Sequence, residues 1–321
     1  MDALSMMLAG SRAEGAFLLR SLLDPPWSLR IEDHAPVTVL VLVRGSAIVV
    51  SDTGQSEYLE AGDVALLRGP DPYTVADRPD TPPHVIIDES QNCHAAAGAP
   101  ALRMTGLGVR TWGNASGGST AMLTGTYRFD SVLSRQLLDS LTPIAVVPRS
   151  SGTEPMIALL AQQITLDRPG QDALLDRLLD LVLIASLREW SALNPSRSPN
   201  WITAYDDPIL GNALKLIHNQ PERPWTVESL ARECNCSRAA FARRFSERMG
   251  IGPVGYLTEW RLSVAADLLS NPERTVSTIA TEVGYSSPFA LTAAFTRHHG
   301  VSPREFRRRQ CAETAASSRV Q

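Results

Sequence analysis

The stretch SRAAFARRFSERMG at residues 237–250 places Arg238, Arg243, Arg244 and Arg248 around two phenylalanines, Phe241 and Phe245, four residues apart. That i, i+4 pair shares one helix face and belongs to a core, so the arginines are left outside it. A guanidinium forks onto guanine O6 and N7 or onto phosphate oxygens, so the chemistry offered is recognition of a polyanion and not bond-making. A second stretch, SSPFALTAAFTRHHG at 286–300, has the same outline with different outer residues. Ser287 can N-cap, Pro288 suits the first helical position, and Leu291 and Phe295 repeat the inner pair. Phe289 and Ala293 fall off that inner face, where a polar binder would show Gln or Arg.

Cys93-His94 offers another chemistry, because a neighbouring imidazolium lowers a thiol pKa and favours oxidation, which makes Cys93 a candidate redox residue. The four cysteines, Cys93, Cys234, Cys236 and Cys311, are too scattered for a disulfide scaffold, and a reducing compartment keeps them as thiols. A lone Cys-x-Cys pair at Cys234 and Cys236 is poor evidence for zinc. No run of 18 apolar residues occurs, and MDALSMMLAGSRAEGAF lacks the basic start and cleavage site of a secretory signal, so a cytoplasmic protein without a membrane partner is expected. The net charge of −4 is unevenly distributed. Residues 1–204 hold 15 Arg against 22 acids, a net of −7, whereas residues 205–310 hold 14 Lys and Arg against 11 acids, a net of +3. Only the back of the chain is suited to a polyanion.

The elements that must position these residues follow from periodicity. Residues 37–69, VTVLVLVRGSAIVVSDTGQSEYLEAGDVALLRG, are β-rich apolar runs broken by Arg44-Gly45, Asp52-Thr53-Gly54 and Ala61-Gly62-Asp63, a set of short strands and hairpins as in a small antiparallel barrel. Further strands reach LTGTYRFD at 123–130, and the β section ends near 145. From Glu154 the period becomes helical: EPMIALLAQQITLD is followed by QDALLDRLLDLVLIASLREW, where Leu174, Leu178, Leu181 and Ile184 have Leu175, Leu179 and Val182 beside them. That apolar face is wider than one barrel surface needs, so a partner helix is a candidate. NPSRSPN at 194–200 has a linker's composition.

Beyond the linker one grammar occurs twice. WTVESLARECNCSRAAFARRFSERMG at 225–250 has a capping box at Thr226 and Ser229, a short apolar helix, a turn at Cys234 to Ser237 and an Arg-rich helix. RTVSTIATEVGYSSPFALTAAFTRHHG at 274–300 repeats it with a turn at Val283-Gly284-Tyr285, and Leu230-Ala231 matches Ile279-Ala280. Each is a helix-turn-helix candidate, and residues 256–269 bridge them. With "LA…CSRAAFARRFSERMGIGPVGYLTEWRLSVAADLL", "TVSTIATEVGYSS" and "FTRHHGVSPREFRR", the chain from about 207 to 309 resembles the AraC/XylS family of transcription regulators. The resemblance implies two recognition helices in successive major grooves of double-stranded promoter DNA. Carried over position by position, base-facing residues are Arg238, Ala239, Ala242 and Arg243 in the first helix and Pro288, Phe289, Thr292 and Ala293 in the second, with Ser286, Ser287 and Arg297 on phosphates. It also implies RNA polymerase as a partner.

The front, through "VLVRGSAIVV", "LEAGDVALLRG" and "LTGTYRFD", resembles the cupin-type sensor domain of some members of that family. Metal cupins use several His and one Glu. Counted back from Gly45, those places hold Glu32, His34 and Thr38, with the later His position at Pro72 or Tyr73, so the ligand set is incomplete and neither metal nor cofactor is expected. A small-molecule effector is the alternative use of the barrel mouth, with Trp27, His34 and Tyr73 as its expected lining. Relatives with oxidant-sensing cysteines exist in the resembled group, but LTGTYRFD carries Thr124 where they often have Cys.

The expected fold is an α+β multidomain chain: a cupin-like β-barrel sensor over 1–145, a helical dimerisation segment and linker over 146–200, an all-α double helix-turn-helix domain over 201–310, and a flexible tail over 311–321. The expected function is an effector-responsive, sequence-specific DNA-binding transcription regulator acting as a homodimer, not an enzyme. The rival reading is a metal-dependent cupin enzyme with a regulatory helical tail.

Overall fold

The computed structural model describes residues 18–98, 102–127 and 138–317; the N-terminal stretch and the last four tail residues lie outside them. The described residues gather into two compact units, one of residues 18–127 with 138–197 and one of residues 198–317.

The first unit is built on strands β1 (Leu18–Leu23), β2 (Ser28–Ile31), β3 (Val37–Arg44), β4 (Ser46–Ser51), β5 (Ser56–Glu60), β6 (Val64–Arg68), β7 (Tyr73–Ala76), β8 (Val85–Ile87), β9 (Cys93–Ala95), β10 (Thr105–Gly108), β11 (Thr111–Gly113), β12 (Thr120–Tyr127) and β13 (Ile144–Val147). A seven-stranded sheet runs β10-β11-β1-β12-β3-β6-β13, and a six-stranded sheet runs β5-β4-β7-β2-β8-β9. Their inner faces share one core, in which Leu40, Leu42, Ala65 and Met122 of the first sheet meet Trp27, Leu29, Val49 and Val75 of the second. Strand β3 reads as a nearly continuous apolar run because both its faces are covered from Val37 to Leu42. Leu40 and Leu42 face the barrel interior, while Val39 lies opposite Gly125 of β12 on the outer face.

That outer face is roofed by helices α1 (Glu154–Gln163) and α2 (Gln171–Leu193). Gly125 is the point of closest approach, since a Cβ there would run into the side chain of Leu179 on α2. The apolar stripe of α2 divides at the sheet edge. Leu175, Leu178, Leu179, Val182, Leu183, Leu187 and Trp190 are buried, whereas Leu174 is 42% and Leu181 47% exposed.

The second unit is all helical: α3 (Asn200–Ala204), α4 (Pro208–Asn219), α5 (Val227–Glu233), α6 (Arg238–Met249), α7 (Pro253–Leu269), α8 (Val276–Glu282), α9 (Pro288–His299) and α10 (Pro303–Ser317). Helix α3 begins inside the segment read as linker, and α10 extends past residue 310 into the segment read as flexible tail, because CAETAA is made mainly of good helix formers. The bridging helix α7 is buried on two sides. Tyr256 packs edge-on against Phe245 of α6 and Trp260 lies 4.2 Å from the ring of His218, while Leu262, Ala265, Ala266 and Leu269 join the core of α8 and α9. His218 is buried between two phenols, with Nδ1 2.9 Å from the Tyr205 hydroxyl and Nε2 2.8 Å from that of Tyr256.

The two halves of this unit meet at Arg261. Its guanidinium donates to the carbonyls of Pro221, at 2.6 Å, and Arg223, at 2.8 Å, in the loop before α5. Gly284, at φ +80°, packs against the same loop, where a Cβ would strike the Glu222 carbonyl and the Arg261 guanidinium. Gly250 has nearly the same φ, +77°, with nothing nearby. Gly250→Ala is therefore expected to lower folding stability by about 1 kcal/mol, the left-handed backbone penalty alone. Gly284→Ala adds the collision and is expected to lose about 2 kcal/mol or more by urea denaturation. Equal losses would show that the junction yields without strain.

Candidate nucleic-acid interface

The two helix-turn-helix units are closed by the same backbone device. After α5 the N–H of Asn235 bonds to the carbonyl of Arg232 and that of Cys236 to Ala231, and after α8 the N–H of Gly284 bonds to Thr281 and that of Tyr285 to Ala280. This double bond pattern with a left-handed residue, Asn235 at φ +53° and Gly284 at φ +80°, is the Schellman end of a helix. Each following helix then starts on a serine: Ser237 Oγ accepts from Ala240 N at 3.3 Å, and Ser287 Oγ from Ala290 N at 3.1 Å. Thr226 and Ser229 complete the reciprocal capping box that opens α5. Leu230, Ala231, Ile279 and Ala280 are buried against the helices that follow.

Because α6 starts at Arg238 and α9 at Pro288, equivalent positions differ by 50. Phe241 and Phe245 match Leu291 and Phe295, all four with no exposure. On the outside, Arg238, Ala239 and Arg243 of α6 are exposed and Ala242 is half-buried, while Phe289 and Ala293 of α9 are exposed and Pro288 and Thr292 are half-buried. The structure thus brings each expected set of four onto one accessible face. The Arg243 side chain is 75% exposed and its nearest carboxylate, Glu247, lies 4.0 Å away, so it is free to reach a ligand. Ser286 and Arg297 are also exposed, and Ser287 caps its helix.

Arg244 and Arg248, which share the helical spacing of Arg238, are turned to internal work. Arg244 donates through Nε and Nη2 to Asp207 Oδ2 at 2.9 and 2.6 Å. Asp207 at the same time caps α4 by accepting from Ile209 and Leu210. Burial works against the ionised Asp207, but those two backbone bonds and Arg244 outweigh it and hold the carboxyl below its ordinary range. Arg248 donates to the Thr203 carbonyl. Sequence spacing could not separate these arginines from Arg243, since Asp207 lies 37 residues away from Arg244.

In the first unit a cavity of about 30 Å³ lies between the sheets. It has room for about two waters. Its polar lining is Ser21, Asp33, Tyr73, Gln91, Thr124 and Thr126. Of the expected lining only Tyr73 reaches it. Trp27 is fully buried in the same core as several lining residues but does not itself line the cavity, and its indole N–H has no partner among the described residues. His34 is carried outward by a left-handed backbone, φ +52°, and its ring bonds the Pro70 carbonyl at 2.9 Å beside Glu89. Burial first and Asp33 second push the Tyr73 phenol far above its ordinary range, so it stays a neutral hydroxyl bonded to Thr38. Glu32 pairs with Arg30 at 3.1 Å, and among the described residues no three His, Cys, Asp or Glu side chains converge on a metal position. Thr124 and Thr126 were legible as alternate residues of LTGTYRFD, but Asp33 and Gln91 reach the cavity from loops that carry no such period.

Cys93 lies on exposed strand β9, and its neighbour His94 is engaged by another side chain. His94 Nε2 is 2.7 Å from Asp88 Oδ2, so the imidazole serves the carboxylate. Packing around the sulfur, then the charge of Asp88, push the Cys93 thiol up. Alkylation of Cys93 by iodoacetamide, followed by peptide mass spectrometry, is therefore expected to keep rising with pH beyond the ordinary thiol midpoint of about 8.5. A rate already level at neutral pH would reveal a thiolate and reverse this reading.

Residues 2–192 match the cupin family, and residues 230–309 match a helix-turn-helix domain. The HTH-type transcriptional regulator AlkR of Acinetobacter baylyi is 29% identical over 321 residues, covering 96% of this chain and 99% of that one. The RCS-specific HTH-type transcriptional activator RclR of Escherichia coli is 29% identical over 318 residues, covering 96% and 98%. Among solved structures, the DNA-binding domain of the global transcriptional factor AdpA in complex with a target DNA is 32% identical, with a TM-score of 0.32, covering 33% of this chain and 96% of that chain.

Proposed function

The chain belongs to the cupin family and is a DNA-binding transcription regulator of the AraC type, and on that premise we propose that it reads promoter DNA through the outer faces of α6 and α9. The observation that carries the reading is the duplicated Schellman turn and serine cap, which leaves each second helix with one buried face and one free face. Such helices enter the major groove with their N-terminal turns at the base edges. Arg238 and Arg243 supply guanine contacts from α6, and Ser286, Ser287 and Arg297 hold phosphates beside α9. The front unit acts as a sensor and not as a catalyst, RNA polymerase is the further partner, and the cytoplasm is where these partners are met.

On operator fragments selected from a random pool, Arg243→Ala is expected to weaken binding by about 1–3 kcal/mol and to relax preference at one G·C pair. Arg244→Ala should instead lower folding stability and leave base preference intact, because its partner is Asp207. The affinity of the unaltered chain should fall steeply with salt as counterions are released from DNA. Salt-independent binding, or unchanged preference in Arg243→Ala, would overturn the interface.

Dimerisation rests on the exposed apolar residues of the two helices that roof the barrel, Leu159 on α1 and Leu174 and Leu181 on α2. A second copy covering them would join two DNA-binding domains and raise the local concentration of the second once the first is bound. Leu181→Glu is expected to sediment as a monomer at micromolar concentration where the unaltered chain is a dimer; an unaltered chain that is itself monomeric would refute this. A small-molecule effector fits the barrel cavity only if the cavity widens, since about 30 Å³ is below the size of a metabolite. Strand β12 would pass that widening on, because Thr124 and Thr126 line the cavity while Gly125 and Tyr127 meet Leu179 and Asp180 of α2.

A further inference from the structure

We propose that α9 reads the 5-methyl groups of thymine, with Phe289 as the specificity-determining residue and Ala293 beside it, while α6 reads by hydrogen bonds. The proposal rests on the reading that both helices enter the major groove, and deepens it for the second. Phe289 is 85% exposed, more than any other large apolar side chain among the described residues. A single exposed apolar side chain is ordinary on a surface. This one, however, occupies the first turn of the second helix of its unit, at the position equivalent to Ala239, where base edges are met.

The neighbouring groups narrow the chemistry. The Thr292 hydroxyl donates to the Pro288 carbonyl at 2.8 Å, so its proton is already placed. The Ser287 oxygen accepts the helix-capping bond from Ala290. Pro288, Phe289 and Ala293 carry no side-chain donor or acceptor at all. The next basic side chains, among them Arg297, lie in the last turn of α9, suited to phosphates and not to the edges met by the first turn. In the major groove the one apolar feature that marks a base pair is the thymine methyl, and Ala and Phe are among the side chains that contact it. Ring-to-methyl contact therefore gives α9 a way to discriminate A·T from G·C without a hydrogen bond. The arginines of α6 meet guanine by the opposite chemistry, so a half-site should change from G·C-dependent to T-dependent along its length.

The test uses the full chain and an operator fragment selected by it from a random pool, in which each thymine is replaced in turn by uracil. That replacement removes the methyl and leaves every hydrogen-bonding group in place. Burial of one methyl is worth about fourfold in affinity, so a loss of about three- to tenfold is expected at one or two thymines on the side of the half-site remote from the Arg243-dependent G·C pair. Phe289→Ala should abolish the difference between thymine and uracil there, while Arg243→Ala should preserve it. Phe289 is solvent-exposed, so its truncation leaves the core of the unit intact. If uracil changes nothing at any position while Arg243→Ala still relaxes the G·C preference, the thymine reading falls and the major-groove reading of α6 stands. If Phe289→Ala binds thymine and uracil fragments with unaltered affinity yet transcription is lost, the ring belongs to a protein contact and the proposal is overturned. If no sequence is selected, both readings fall together.

Discussion

The double helix-turn-helix unit depends on the junction at Arg261 and Gly284. One guanidinium on the bridging helix binds two carbonyls of the loop before α5, and the turn before α9 packs onto that loop without a Cβ. An arginine has several fixed donors and can satisfy two loop carbonyls at once. The first half is thereby tied to the second through α7. Two recognition helices can address one face of a duplex only if their separation is set by such a rigid link and not by a tether. Arg307 repeats the device at the other end of α7, donating to the carbonyls of Leu269 and Arg274.

Within that frame, the same backbone solution is used twice for different surface chemistry. The Schellman turns, serine caps and buried inner pairs of α6 and α9 correspond bond for bond. What differs is the outer face, where arginines in one helix stand against a phenyl ring and a methyl in the other. Core positions must agree for the helices to pack on α7, whereas the contacts of outer Arg243 and Thr292 are with Glu247 and the Pro288 carbonyl of their own helices. Outer positions are thus free to follow whatever ligand they meet.

The cupin unit shows a comparable division of labour along a single strand. In β12, inward threonines line a small cavity and the intervening Gly125 and Tyr127 support α2. Because side chains alternate across a strand, residues one apart belong to the barrel interior and to the helical roof respectively. A change of cavity volume therefore cannot be confined to the interior, since a close-packed layer transmits the strain to its neighbour.

Much of this was legible in the sequence. Short alternating runs with Gly and Asp turns specify hairpins, and Phe241 and Phe245 or Leu291 and Phe295 specify the inner faces of their helices, because strand and helix periods are properties of neighbouring residues. The outward position of Phe289 followed from the same period, and its 85% exposure agrees with it. Long-range pairing was not legible. Nothing near Arg244 in sequence reveals that Asp207 takes its guanidinium, and nothing in Cys93-His94 reveals that Asp88 takes the imidazole. Trp27 and His34 were read as cavity residues, yet one is buried in the core without lining the cavity and a left-handed turn carries the other outward. Asp33 and Gln91 reach the cavity only because strands distant in sequence bring their loops together. Local period determines which face a residue takes; which charge or cavity waits on that face is decided by chain segments that meet only in the folded state.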